Sequence, residues 1–90
     1  MEIGQAIKMI RKEKGISQKE LARMADISAN ALCKIEQDQA WPSKTTIQLI
    51  CDALEISVGS LLFASITEED IPSYNRPVFR ALREPIIKLL

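Results

Sequence analysis

Residues 17–37 read SQKELARMADISANALCKIEQ, and two helix starts inside this stretch decide the fold class. Ser17 stands three residues before Glu20, so its hydroxyl can accept from the Glu20 amide while the Glu20 side chain reaches back to the Ser17 amide. That capping box predicts a helix running to about Ala25, with Leu21, Ala22 and Ala25 facing inward. Asp26-Ile27 then forms a short turn, and Ser28 can cap a further helix that extends through Glu36 or Gln37. On this last helix, at about 100° per residue, Ala29, Asn30, Cys33 and Lys34 share one side and Leu32 and Ile35 the other. One side is short and polar, the other apolar.

Working outward towards the N-terminus, Ile3, Ala6, Ile7 and Ile10 form a stripe at helical spacing, and Gly15 supplies the left-handed residue that ends such a helix near Lys14. Towards the C-terminus, Gln37 to Pro42 reads as a loop. Ser43 caps a fourth helix with the stripe Ile47, Ile50, Cys51 and Leu54, and Ser57 caps a short fifth bearing Val58, Leu61 and Leu62. After Ala64 the pattern changes. Thr67 to Asp70 is acidic, Pro72 and Pro77 punctuate, and Val78, Phe79, Leu82, Ile86, Leu89 and Leu90 outline a last amphipathic helix expected to break at Pro85. The expectation is therefore an all-α chain: residues 1–64 form a five-helix domain, and 65–90 a helical extension that packs internally or dimerises.

Composition bounds the function. Ninety residues with 47% apolar content suffice for one domain with a modest core. No apolar run approaches the roughly 18 residues that span a bilayer, and Met1-Glu2-Ile3-Gly4 carries no basic region leading into an apolar stretch, so a soluble cytoplasmic protein without membrane contact is expected. With no histidine and only Cys33 and Cys51, neither a metal site nor a disulfide framework is expected, and no cofactor is implied. No Gly-rich phosphate loop is present, and the serines have capping roles, so an enzyme is not expected. Lys and Arg total 12 against 12 Asp and Glu, which argues against promiscuous coating of nucleic acid. Lys8, Arg11, Lys12, Lys14, Lys19 and Arg23 nevertheless gather in the first 25 residues against Glu2, Glu13 and Glu20.

The run KEKGISQKELARMADISANALCKIEQDQAWPSKTTIQLICDALEIS resembles the Cro/CI-type helix-turn-helix family, which includes phage repressors and xenobiotic-response-element-like regulators. The resemblance covers residues 3 to 64 and rests on Gly15, Ser17-Gln18, Glu20-Leu21-Ala22, Ile27-Ser28, Leu32, Ile35-Glu36, Pro42-Ser43, Ala53-Leu54 and Ile56-Ser57. It implies a five-helix lambda-repressor-like fold and sequence-specific regulation of transcription by a homodimer on a palindromic operator in double-stranded DNA, with the helix-turn-helix at Gln18 to Gln37. Asp26, Asp38 and Glu55 stand where the family usually has glycine; aspartate tolerates the left-handed region, whereas Glu55 is harder to rationalise.

The third helix would then read bases. Asn30 can pair with adenine N6 and N7, Ser28 can donate to phosphate or a base acceptor, Ala29 can touch a thymine methyl, and Lys34 can reach phosphate or guanine beside Cys33. Gln18 opens the second helix, where its amide can meet phosphate alongside free backbone N–H groups. Ser43, Lys44 and Thr45 resemble the family's second phosphate clamp, with simple capping by Ser43 as the alternative. Arg11 and Glu36 match family positions that pair between the first and third helices. Trp41 is expected chiefly to cover the core, with DNA backbone or a partner as alternatives. A different class of function stays open: an antitoxin-like or partner-binding module that uses the apolar surface of residues 72–90, with DNA binding secondary.

Overall fold

The computed structural model describes residues 1–89. Leu90, which the sequence places on the last apolar stripe, lies outside the described residues. Helices α1 (Ile3–Glu13), α2 (Gln18–Met24), α3 (Ala29–Glu36), α4 (Lys44–Leu54) and α5 (Val58–Ser65) follow one another through short turns. Two single-turn 3-10 segments, Glu68–Asp70 and Ser73–Asn75, lead into α6 (Arg76–Ile87). No strand occurs among the described residues.

One pair of devices starts and stops these helices. Ser17, Ser28, Ser43 and Ser57 each hold an extended backbone and accept from the amide three residues on, at 3.0, 3.0, 3.1 and 3.0 Å. The reciprocal half of the expected capping box at Ser17 is not formed. The Glu20 carboxylate turns instead to the Arg23 guanidinium one turn along, whose hydrogen bond holds Glu20 below the usual carboxylate range. A charged donor outcompetes a neutral amide for that carboxylate.

The stops are equally regular. Gly15, Asp26, Asp38 and Glu55 take φ values of 70°, 55°, 57° and 58°, and after each the next amide returns to a carbonyl five residues back. These are Ile16 to Arg11, Ile27 to Ala22, Gln39 to Lys34 and Ile56 to Cys51, at 2.9–3.1 Å. The three non-glycine departures from the family thus adopt the conformation that glycine would. Asp38 has a further role, because its Oδ1 accepts from the Gly4 amide at 3.0 Å and caps the start of α1 from the end of α3. Glu55 has no such partner among the described residues. We expect Glu55→Gly to raise stability by about 0.5–1 kcal/mol by relieving left-handed strain. Asp38→Gly gains the same relief but loses a cap, and should fall about 1 kcal/mol below it. Urea midpoints compare the two; equal gains would mean that the Asp38 cap contributes nothing.

The core is built from the inner faces of all five helices. Ile3, Ile7, Leu21, Leu32, Ile50, Cys51, Leu54 and Leu61 are almost completely buried. Helix α1 packs against α3 and α5, and α2 against α3 and α4. The Glu2 amide donates to the Ser65 carbonyl at 2.8 Å, closing the start of α1 on the end of α5.

Helix α6 is tethered to the 3-10 segment before it through polar contacts. Arg76 Nε donates to the carbonyls of Glu68 and Ile71 at 2.9 and 3.1 Å, and Arg80 pairs with Glu68 through two hydrogen bonds. That pairing holds the Glu68 carboxyl below its ordinary range and raises Arg80 above its own. Only Ile87 joins the core, bordering with Met9 and Ile10 a small hollow beside α1. The expected break at Pro85 does not occur, and α6 runs through it to Ile87, with Lys88 N–H still reaching the Glu84 carbonyl at 3.1 Å. Proline removes one donor for the carbonyl four residues back. Here both Ala81 and Pro85 face solvent, so water can take that carbonyl. The apolar residues of α6 and the turn after it divide unequally: Phe79 and Ile86 are half-buried, whereas Val78, Leu82 and Leu89 remain exposed. No single helix among the described residues is long and apolar enough to cross a membrane.

Candidate nucleic-acid interface

The angle of α3 is set from beneath. Arg11 of α1 and Glu36 of α3 are both buried, with Nε donating to Oε2 at 2.8 Å and Nη2 to Oε1 at 2.9 Å. The remaining guanidinium edge donates from Nη1 to the Ile16 carbonyl at 2.9 Å. Two parallel charge-assisted bonds fix both distance and orientation. This is the pairing that the resemblance implies, and it has a third member. Gln18 Nε2 donates to Glu36 Oε1 at 3.1 Å, and from the other side Gln5 Nε2 reaches the Glu36 main-chain carbonyl at 3.3 Å.

With Leu32, Ile35 and Glu36 turned inward, α3 presents Ala29, Asn30 and Lys34 to solvent, with Cys33 half-buried at the edge. Cys33 Sγ accepts from Gln37 Nε2 at 3.3 Å. Ser28 Oγ accepts from the Ala31 amide, which leaves its hydroxyl hydrogen free to donate outward. The structure therefore brings Ser28, Ala29, Asn30, Cys33 and Lys34 onto one surface. At the start of α4, Lys44 and Thr45 are exposed. Ser43 has both capping functions filled, accepting from Thr46 N–H at 3.1 Å and contacting Thr46 Oγ1 at 3.0 Å. Gln18 is partly engaged: one of its two side-chain N–H groups goes to Glu36, which leaves the second, together with the backbone amides of the first turn of α2, for an anion.

Trp41 departs from the expected role. It is 61% exposed, while its neighbour Pro42 is buried and fills the place beneath the loop. Its indole stands at the border of a hollow of about 360 Å³ that it shares with Ser28, Asn30, Lys34, Ser43 and Thr46. Sequence reading also passed over Gly4 and its link to Asp38. The available signal was the pair of a glycine inside an amphipathic stripe and an aspartate at a left-handed position, but their separation of 34 residues hides the contact.

A family model described as helix-turn-helix matches residues 7–61. The chain is 37% identical over 76 residues to an immunity repressor protein of Bacillus phage phi105, covering 83% of this chain and 53% of that protein. It is 43% identical over 61 residues to the transcriptional regulator SinR of Bacillus subtilis, covering 67% and 55% of the two. The chain thus spans little more than half the length of these curated relatives. Among solved structures it resembles the clp gene regulator ClgR from Corynebacterium glutamicum, with a TM-score of 0.68 and 28% identity over 70% of this chain and 82% of that one. A second ClgR structure covers 98% of this chain and 85% of that one at 24% identity and the same TM-score, a likeness of fold. Matched in sequence over the five-helix unit and in fold beyond it, the chain belongs to the Cro/CI-type helix-turn-helix family.

Proposed function

We propose that this protein is a cytoplasmic DNA-binding transcriptional regulator that docks α3 in the major groove of a palindromic operator and acts as a homodimer. The observation that carries this reading is the division of α3 into a buried apolar side and an exposed side bearing Ala29, Asn30 and Lys34. The names of its relatives, an immunity repressor and a transcriptional regulator, support the same conclusion. In this reading residues 1–64 read DNA and 65–90 form the extension. Asn30 and Lys34 meet base edges, Ser28, Ala29 and Cys33 line the contact, and Lys44, Thr45 and the amides at Gln18 and Ser43 meet phosphate. Duplexes selected from a random pool define the operator. We expect Asn30→Ala and Lys34→Ala each to weaken binding to it by about 1–3 kcal/mol without lowering the melting temperature. Unchanged affinity in both would remove α3 as the reading element.

The second chain is proposed to meet α6. Val78, Leu82 and Pro85 lie at spacings of four and three residues along its exposed face, with Leu89 in the turn four residues further on, the spacing of a helix-to-helix seam. One unit of this size reads a half-site, and two-fold pairing doubles the contacts across a palindrome. Leu82→Glu should therefore convert a dimer to a folded monomer in light scattering and sharply reduce operator binding. A wild-type chain that is monomeric at all concentrations would instead favour a different protein partner on this stripe, and with it the partner-binding class of function.

A further inference from the structure

Trp41 has no structural task that its exposure could explain. Its loop is already ordered without it: Asp38 is bonded to Gly4, Gln39 N–H to the Lys34 carbonyl, and Pro42 is buried. The side chain nevertheless projects as a large, rigid aromatic group, 61% exposed, from an anchored backbone. On one side it borders the hollow shared with Asn30 and Lys34 of α3 and Ser43 and Thr46 of α4. On the other side it borders a hollow shared with Met1, Glu2, Asp38 and Gln39, where the carboxylates of Glu2 and Asp38 repel phosphate and the Met1 ammonium is already paired with Asp70. A polyanion seated on α3 is therefore favoured on the first side, which the exposed Lys34 lines and Trp41 borders.

We propose that Trp41 is a DNA contact at the edge of the groove, its indole face packed on deoxyribose carbons and its Nε1–H directed to a phosphate oxygen, next to the bases read by α3. This inference rests on the reading of α3 as the groove-facing helix. The chemistry suits the group. An indole offers an apolar face and a single donor, matching the alternation of sugar and phosphate along one strand, and a pre-ordered aromatic loses little freedom on binding. Because the indole is uncharged, its contact releases no counterion and leaves the salt dependence of binding to the lysines.

Trp41 is the only tryptophan in the chain, so its fluorescence reports on this contact alone. The test uses the full chain and a duplex recovered by selection from a random pool. Bound to that duplex, the indole should become several-fold less accessible to acrylamide. Trp41→Ala should weaken binding about tenfold or more with an unchanged salt slope and unchanged melting temperature. Trp41→Phe, which keeps an apolar face, should recover part of the loss. Binding with the indole as quenchable as in the free protein, or undiminished affinity of Trp41→Ala, overturns the inference while leaving the DNA-reading function intact. Shielding that grows with protein concentration in the absence of DNA would assign Trp41 to a second copy, and also overturns it. Failure to bind any duplex would bring down the function itself, and this contact with it.

Discussion

Arg11→Met is expected to lower folding stability by about 3–5 kcal/mol, the loss that follows when one partner of a buried ion pair is removed. The variant leaves the Glu36 carboxylate in the interior with only Gln18 Nε2 still donating to it, and it also removes the donor to the Ile16 carbonyl. The cost arises from the abandoned charge more than from any large net worth of the pair. Arg11→Met combined with Glu36→Leu should accordingly recover much of the loss, since two packed apolar side chains need no hydrogen bonds. Chemical denaturation of the two single variants and the double variant completes the cycle. A loss below about 1 kcal/mol for Arg11→Met would mean that water reaches Glu36 and the pair is not the fixed strut described above. On operator DNA the same variant should leave the salt slope nearly unchanged, whereas Lys44→Ala lowers it by about one ion, because Arg11 is buried and Lys44 is exposed.

Gly4→Ala should be comparably damaging although it adds one methyl group. A Cβ at residue 4 would lie 2.0 Å from the Ile35 carbonyl oxygen and 2.7 Å from Asp38 Oδ1. The nearer atom is backbone and cannot rotate away, so α1 and the end of α3 must separate, and the Asp38 cap on Gly4 is lost in the process. A loss above about 3 kcal/mol follows, large even for an overpacked position. For a chain of this size it lowers the melting temperature by more than about 12 °C. Gly59→Ala is the control. That glycine lies within α5 and a new Cβ would meet nothing nearer than Ser57 Oγ at 3.8 Å, so helix propensity alone should act and raise stability by about 0.5–1 kcal/mol. Thermal unfolding of both variants provides the check, and a Gly4→Ala protein that melts with the wild type would refute the close approach.

The caps show why so much of the fold is readable from sequence. Each serine start lies within three residues of the amide it receives, and each left-handed stop within one turn of the carbonyl it serves, so a local pattern carries the whole interaction. Reading became less reliable where a local preference met a longer-range competitor. Glu20 could reach Ser17, but Arg23 offered a charge. Gln18 reads as an outward-facing amide, and one of its two N–H groups is shared with the same Glu36 that binds Arg11. Proline is a helix breaker by rule, yet Pro85 is accommodated because its unsatisfied carbonyl lies at the surface. The Arg11–Glu36 pair became legible only through resemblance to a family, since 25 residues separate the partners and neither signals the other. Trp41 was misplaced for a related reason: aromatic character alone predicts burial, whereas the adjacent Pro42 occupies the space available.

The two cysteines give the chain a built-in handle. Burial, assisted by the neighbouring Asp52, pushes the Cys51 thiol above its ordinary value, and it is completely enclosed by the core, while Cys33 lies half-open on α3. Alkylation proceeds through an accessible thiolate. A maleimide dye should therefore attach to the native protein at Cys33 alone, placing a single reporter beside Asn30 and Lys34 without any engineered residue. Cys51 becomes reactive only when the domain opens, so the slow second labelling step times that opening and turns one reagent into both a probe of the proposed reading surface and a clock for the core.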